Sequence, residues 1–279
     1  MPELPEVETI RLGLLPRVLG KEIVAVHLSQ LKLLRGLSEE AFVARLKGNS
    51  FSNIVRRGKY LAFLLRAGGW LVFHLGMTGR LLLKGGERAD LLLTFSDGTV
   101  LNFKDRRRLG RILLVEGDEG LSRTLGLGLE PLSEEFNPQW LKDKLSATRQ
   151  EIKSFLIDQS KIAGLGNIYA CEALFYSRIH PQMRCHLLDE EEVGRLYSAI
   201  LEVLRAALKM RGTSFSDYVD VEGIPGSFQD FLKVYGREGE GCPRCGEAIK
   251  RVKHRGRSSY FCPRCQSERA GQIRANRLK

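Results

Sequence analysis

The sequence predicts an α+β chain of several domains. These are an antiparallel β-sandwich or barrel-like sheet with a helix in front of it, a helical region, and a small cysteine-bearing module at the C-terminus. Three observations predict it. Short apolar runs separated by turn residues fill the first 130 residues. Beyond Gly126–Pro131 the apolar spacing becomes helical. Four of the six cysteines form two Cys-x-x-Cys pairs near the C-terminus. A chain of 279 residues has room for two domains and a smaller third, and 43% hydrophobic residues support real cores.

The leading helix covers about residues 4–19, with Val7, Ile10, Leu14 and Leu15 as its apolar positions. EIVAVHL, FSNIVRRGKYLAFLL, WLVFHLG, GRLLLK, DLLLTFSDGTVLNF and RILLVE then read as strands, with no helix expected among them. Ser96-Asp97-Gly98 marks a hairpin between two of the runs. Asn137-Pro138 opens a helix, Thr148–Asp158 carries another, and Asp189 caps a long third with Glu192 at the capping-box position. Leu196, Ile200, Val203, Leu204 and Leu208 form the buried stripe of that third helix, and Gly212 closes it. Residues 213–235 read as loop, with glycines at 223 and 226. The domains are expected at 1–130, 131–235 and 236–279.

Forty-four Lys and Arg against 33 Asp and Glu leave a net charge of +11. An excess of that sign points to a polyanionic partner, nucleic acid first. No run of 18 apolar residues is present, so no membrane span is expected. The N-terminus has no basic stretch followed by an apolar one, so a cytoplasmic protein is expected. Nothing suggests an obligate oligomer, and a monomer is expected.

A disulfide framework does not suit a chain of this length without a secretion signal. Cys242-Pro-Arg-Cys245 and Cys262-Pro-Arg-Cys265, 16 residues apart, fit a tetrahedral Zn²⁺ site. With four thiolates the metal has no open position, so one structural ion is expected. Cys171 and Cys185 read as buried free thiols. The linking segment KRVKHRGRSSYF has six basic or histidine residues out of twelve, which suits phosphate contact from a rigid hairpin. The tail AGQIRANRLK adds further cations.

The opening MPELPEVETI admits two readings. Proline and acidic residues at a helix start satisfy local geometry and the helix dipole. Alternatively, removal of Met1 turns Pro2 into a free secondary amine, a nucleophile of low steric demand. These ten residues by themselves favour the first reading.

PELPEVET, RRGKY, HLGMTG, GLGNIYACEALF, VYGREGE and the cysteine finger occur in this order. Together they resemble the bacterial formamidopyrimidine-DNA glycosylase family, whose members remove 8-oxoguanine and ring-opened purines from DNA. The resemblance spans essentially the whole chain. It implies a β-sandwich, a helix-two-turn-helix DNA-binding domain and a zinc finger, with damaged double-stranded DNA as partner.

The resemblance reverses the reading of Pro2, implying that its amine attacks C1′ and displaces the base. The iminium that forms is an electron sink that acidifies the C2′ proton, so β,δ-elimination follows base loss. Glu3 is implied as the acid that protonates the sugar ring oxygen. It must carry its proton near neutral pH, which a water-poor pocket favours. Glu6, one turn on, has a positioning role or is a dipole partner. Lys59, otherwise a surface charge, is implied near the lesion phosphate. Arg257 is implied to grip the flanking phosphates through its forked guanidinium. Asn167 is implied as a phosphate contact at a glycine-lined helix entrance. Arg149 and Lys153 could add phosphate contacts.

An extruded base leaves a gap to be filled. Met77 and Arg107 match the family's inserting residues. Leu109 departs from the usual phenylalanine; it can still wedge a base step but stacks less well. Arg88 stands where histidine is common and should retain phosphate contact. His74 is either a phosphate contact or a buried structural histidine. V221-EGIPGSF-Q229 matches a mobile loop over the extruded purine. Two alternatives stand beside this reading: the endonuclease VIII-like branch, acting on oxidised pyrimidines, and a catalytically silent zinc-ribbon DNA-binding protein.

Overall fold

The computed structural model of the chain describes residues 1–84, 88–215, 217–254 and 256–268. The basic tail AGQIRANRLK lies outside the described residues. The chain forms two compact units, one of residues 1–127 with 207–229, the other of 128–206 with 230–279.

In the first unit, α1 (Leu4–Val18) buries Val7, Ile10, Leu14 and Val18, the i, i+3, i+4 stripe that its sequence spells. The strands β1 (Ile23–Leu28) and β2 (Leu34–Arg35) follow, then a helix α2 (Glu39–Leu46) that strand reading did not anticipate. Its signal was present: the Ser38 hydroxyl accepts from the Ala41 N–H, acidic residues fill the first turn, and Phe42 and Leu46 are buried four apart. Next come β3 (Phe51–Arg57), β4 (Tyr60–Leu65), β5 (Trp70–His74), β6 (Gly79–Leu82), β7 (Leu91–Phe95), β8 (Val100–Asp105) and β9 (Arg111–Val115). A second unanticipated helix, α3 (Gly117–Leu125), ends on left-handed Gly126.

The strands make a four-stranded sheet in the order β1-β7-β8-β6 and a five-stranded sheet in the order β2-β9-β5-β4-β3. All pairings are antiparallel except the short parallel pair of β2 with β9, a departure from the fully antiparallel expectation. The sheets meet through aromatic rings: Phe51 lies 6.0 Å from Phe95, and Phe73 lies 5.4 Å from Phe103. Leu91, Leu93, Leu101 and Phe103 enter this core, while Leu92 and Lys104 between and beside them are less buried, which defines a sandwich.

In the second unit, α4 (Pro138–Ser146) starts at an Asn137 cap that accepts from the Trp140 N–H. The helix expected over Thr148–Asp158 is reduced to α5 (Ile152–Leu156), because Gln150 and Glu151 pair in extended form with Arg184 and Cys185. It precedes α6 (Asn167–Tyr176), of which eight residues are buried. The long α7 (Glu190–Lys209) has the expected reciprocal capping box between Asp189 and Glu192. The chain ends in a hairpin of β10 (Lys250–His254) and β11 (Arg257–Phe261). Cys171 and Cys185 are buried thiols. Among the described residues no helix is long and apolar enough to cross a membrane.

Candidate functional site

Pro2 is buried directly before α1, and Met1 is exposed. Glu3 caps the helix within a capping box: its carboxylate accepts from the Glu6 N–H, and Glu6 Oε2 accepts from the Glu3 N–H at 2.6 Å. The second oxygen of Glu6 accepts from the Thr213 N–H at 2.8 Å. Glu6, 1% exposed, therefore ties the start of α1 to the segment after α7, which goes beyond a dipole partner. Gly212 makes this approach possible: its φ is +82°, and a Cβ there would lie 2.6 Å from Glu6 Oε1.

Glu8 fixes the same helix on the sheet through Arg11 (2.6 Å) and Arg56 (3.0 Å). Burial alone would raise its carboxyl, but hydrogen bonds and charge from the two guanidinium groups outweigh this and hold it below the usual range.

Lys59 follows left-handed Gly58 in the two-residue turn between β3 and β4. It is 4% exposed, which removes the surface-charge reading. His74, at the end of β5, packs its ring 4.7 Å from Tyr60. Burial, then the charges of Lys59 and Arg111, push it down to about 4, so it is neutral at physiological pH.

Met77, Arg107 and Leu109 come together on two neighbouring loops. Met77 and Leu109 are 44% and 47% exposed, and Arg107 Nη1 lies 3.3 Å from Met77 Sδ. The loops touch where Gly76, φ +61°, faces Gly110; a Cβ on Gly76 would lie 2.7 Å from the Gly110 nitrogen. Asp105 organises both. Its carboxylate accepts from the Thr78 hydroxyl at 2.5 Å, the Gly110 N–H at 2.6 Å and the Arg107 N–H at 3.3 Å. Asp90 in turn accepts from the Asp105 N–H at 2.5 Å. Sequence reading missed Asp105, Thr78 and Asp90. Their signal was only adjacency to the singled-out Met77, Arg88 and Arg107, since a buried aspartate looks like any other in sequence.

The stretch Val221–Gln229, expected as a mobile cover, makes hydrogen bonds near both of its ends. Asp220 pairs with Arg211 and accepts from the Glu222 and Ile224 N–H groups at 2.9 Å. Val221 packs against Gly13 and is hydrogen-bonded to Leu83, and Gly226 donates to Ser214 Oγ at 2.9 Å. Arg88, exposed, has φ +64°.

In the second unit, Asn167 is the first residue of α6 behind a Gly166 cap. Its Nδ2 donates to the Ser258 carbonyl at 3.0 Å. Lys153 donates to the same carbonyl and to Ser259 Oγ, both at 2.7 Å. Lys153 is buried and braces the hairpin beside exposed Arg257. Arg149 is exposed before α5. Glu172, fully buried, accepts from the N–H groups of Lys233, Val234 and Tyr235 at 2.8–3.0 Å, which anchors the start of VYGREGE.

The Sγ atoms of Cys242, Cys245, Cys262 and Cys265 lie within 4.8 Å of one another. The Cys245–Cys262 and Cys242–Cys265 distances are 3.5 and 3.9 Å. Zn–S bonds of about 2.3 Å in a tetrahedron require about 3.8 Å between sulfurs. The four thiolates thus form a closed structural zinc site. Gln266 braces it, accepting from the Cys262 N–H at 3.0 Å and donating to the Ile179 carbonyl at 2.9 Å.

Residues 1–112 match the formamidopyrimidine-DNA glycosylase N-terminal domain, 127–219 the H2TH domain of the same enzymes, and 239–267 the zinc finger found in FPG and IleRS. The chain is 43% identical over 273 residues to the formamidopyrimidine-DNA glycosylase of Pelotomaculum thermopropionicum, covering 95% of this chain and 99% of that protein. Its fold matches the MutM (FPG) protein of Thermus thermophilus with a TM-score of 0.87, at 42% identity, covering 96% of this chain and all of that one. Lactococcus lactis Fpg in complex with an abasic site containing DNA matches with a TM-score of 0.87, at 36% identity, covering 95% of this chain and all of that one. The chain belongs to the formamidopyrimidine-DNA glycosylase family.

Proposed function

We propose that this chain excises oxidised purines from DNA and then cleaves the abasic strand, with Pro2 as nucleophile after loss of Met1. The Pro2 nitrogen uses its lone pair to bond C1′, the glycosidic bond breaks, and the base departs with the bonding pair and takes up a proton. Glu3 donates a proton to the ring oxygen as it leaves C1′, and the prolyl N–H proton is lost as the iminium forms. The iminium then accepts the electron pair of the C2′–H bond, and the two phosphates leave in successive β and δ eliminations. Lys59 and Arg257 bind the phosphates flanking the lesion, together with His74, Arg88, Arg149 and Asn167. Met77, Arg107 and Leu109 fill the gap left by the extruded nucleotide. The divisions at residues 130 and 235 separate catalytic, helix-two-turn-helix and finger functions, and the proposal needs no second protein chain.

One observation carries this reading: Pro2, Glu3, Glu6 and Lys59 are buried in the same unit that exposes Met77 beside Arg107. A catalytically silent DNA-binding protein needs the exposed wedge but not a buried Glu3–Glu6 cap behind a buried proline. The test is borohydride trapping on a duplex with 8-oxoguanine opposite cytosine, run beside an oxidised-pyrimidine duplex. A covalent band that maps to Pro2 on the purine lesion is expected. A band on the pyrimidine lesion alone would move the chain to the endonuclease VIII-like branch. No band on either, with the N-terminus confirmed free, would refute the chemistry.

A further inference from the structure

A cavity of about 460 Å³ lies where the end of α2 meets the turn between β4 and β5, lined by Arg45, Lys47, Asn49, Ser50 and Arg66 together with small residues. Two elements fix its place in the first unit. In the pairing of β3 with β4, Phe51 and Leu65 close the cavity end, whereas Arg57 and Tyr60 close the end that carries Lys59. About 20 Å of strand separate the two ends. Helix α1 runs the other way along the sheet: Glu8 pairs with Arg56, and Gly20, beyond the last turn, donates to the Phe51 carbonyl. Pro2 therefore starts the helix at the Lys59 end, and the cavity lies at the far end from both.

Three cations line the cavity, and one of them is taken. Arg45 donates from Nη2 to both oxygens of Glu116, at 2.7 and 2.9 Å. Lys47 and Arg66 are exposed, and among the described residues no ion pair holds either of them. The two segments that carry them are tied together. Asn49 Oδ1 accepts from the Ser50 and Ala67 N–H groups at 2.8 and 3.2 Å, and the Arg66 N–H donates to the Ser50 carbonyl at 2.9 Å.

The chemistry of the lining selects among anions. Compact phosphate sites are built from backbone N–H groups that converge on the ligand. Here those groups are spent inside the fold: Lys47 donates to Val43, Gly48 to Ile23, Asn49 to Leu46 and Gly68 to Leu65, besides the three bonds above. A nucleobase or a single strand needs an aromatic ring to stack on, and none lines the cavity. What it offers is an ammonium and a guanidinium on two separate chain segments. Cations so placed match the separate carboxylates of a peptide, as Arg45 already matches Glu116.

We propose that this cavity docks an acidic segment of a partner protein, its carboxylates received by Lys47 and Arg66, while DNA occupies the Pro2 end. The placement of DNA rests on the reading of Pro2 given above; the docking of the acidic segment does not.

The test uses the full-length protein and a fluorescent peptide of alternating aspartate and glycine, read by anisotropy with and without a saturating duplex that carries an abasic-site analogue. The parent should bind the peptide in both conditions, less tightly as salt rises. Lys47→Gln with Arg66→Gln should weaken the peptide bound in the presence of duplex about tenfold and leave duplex affinity and zinc content unchanged. The charge-conserving pair Lys47→Arg with Arg66→Lys should bind as the parent does, which separates lost charge from a damaged fold. Equal peptide affinity in parent and double variant overturns the proposal. Displacement of the peptide by the duplex, with lower duplex affinity in the variant, also overturns it and makes the cavity part of the DNA footprint. Tripolyphosphate binding that the variant loses, with no peptide bound by the parent, overturns it in favour of a phosphate site. A failed borohydride trap with the peptide result intact would refute the chemistry and leave this docking site standing.

Discussion

Substitution of Glu6 separates two accounts of the same residue. As a dipole partner in the first turn of an exposed helix, a carboxylate contributes about 0.3–1 kcal/mol. In the structure Glu6 is instead a bridge. One oxygen accepts from the Glu3 N–H at 2.6 Å and the other from the Thr213 N–H at 2.8 Å. Hydrogen bonds to a charged group contribute about 1.5–3 kcal/mol each, so Glu6→Ala forfeits about 3–6 kcal/mol of gross interaction. Release of the carboxylate from its burial offsets part of this, and a net loss of about 2–4 kcal/mol is expected. Glu6→Gln keeps an acceptor for one N–H and sets its amide against the other, so it should lose about half as much. Because the chain has two units, the loss should be read locally, by hydrogen exchange at the Glu3 and Thr213 amides alongside urea unfolding. Both amides should lose protection together in Glu6→Ala, and excision should slow as Glu3 loses its fixed place. A loss below about 1 kcal/mol with protected Glu3 and Thr213 amides would refute the bridging role.

Three further outcomes are expected. Gly76→Ala places a Cβ 2.7 Å from the Gly110 nitrogen at φ +61°, so the Met77 and Leu109 loops must part; base excision should fall at least about tenfold while zinc content stays normal, and unimpaired excision would contradict the paired-loop geometry. His74 is held at about 4 in the fold against about 6.5 unfolded. The unfolded chain therefore binds the extra proton between these values, and stability falls as pH drops from about 6.5 to 4, by about 1–3 kcal/mol. His74→Asn should flatten that part of the pH profile of urea unfolding, and an unchanged profile would contradict the assignment. Cys245→Ser, or chelation of zinc from the parent, should lower bound zinc and abolish DNA affinity through loss of the finger, read by metal analysis and anisotropy; retained affinity without zinc would contradict its structural role.

The sequence determined by itself whatever rests on neighbours in the chain. The α1 stripe, the alternating strands, the Asp189–Glu192 box and the two Cys-x-x-Cys turns are local patterns with a fixed period or spacing. The motifs PELPEVET, HLGMTG, GLGNIYACEALF and VYGREGE, in that order, likewise point to the family. Helix α2 was legible too, through Ser38 and the Phe42–Leu46 pair, but a run of strand signals masked it.

Only the tertiary structure decided what each charged residue does. Lys59 and Lys153 look alike in sequence, yet one is buried at a hairpin turn and the other braces Ser258 and Ser259. Asp105 gave no sign that it would join the Met77 and Leu109 loops, and nothing local showed that Asp220 and Ser214 would accept from the backbone of 221–229. Lys153, Asp105 and Glu6 share one physical reason, since each meets a partner far along the chain. A charge is tolerated in the interior only when groups distant in the chain satisfy it, and those partners are chosen by the fold.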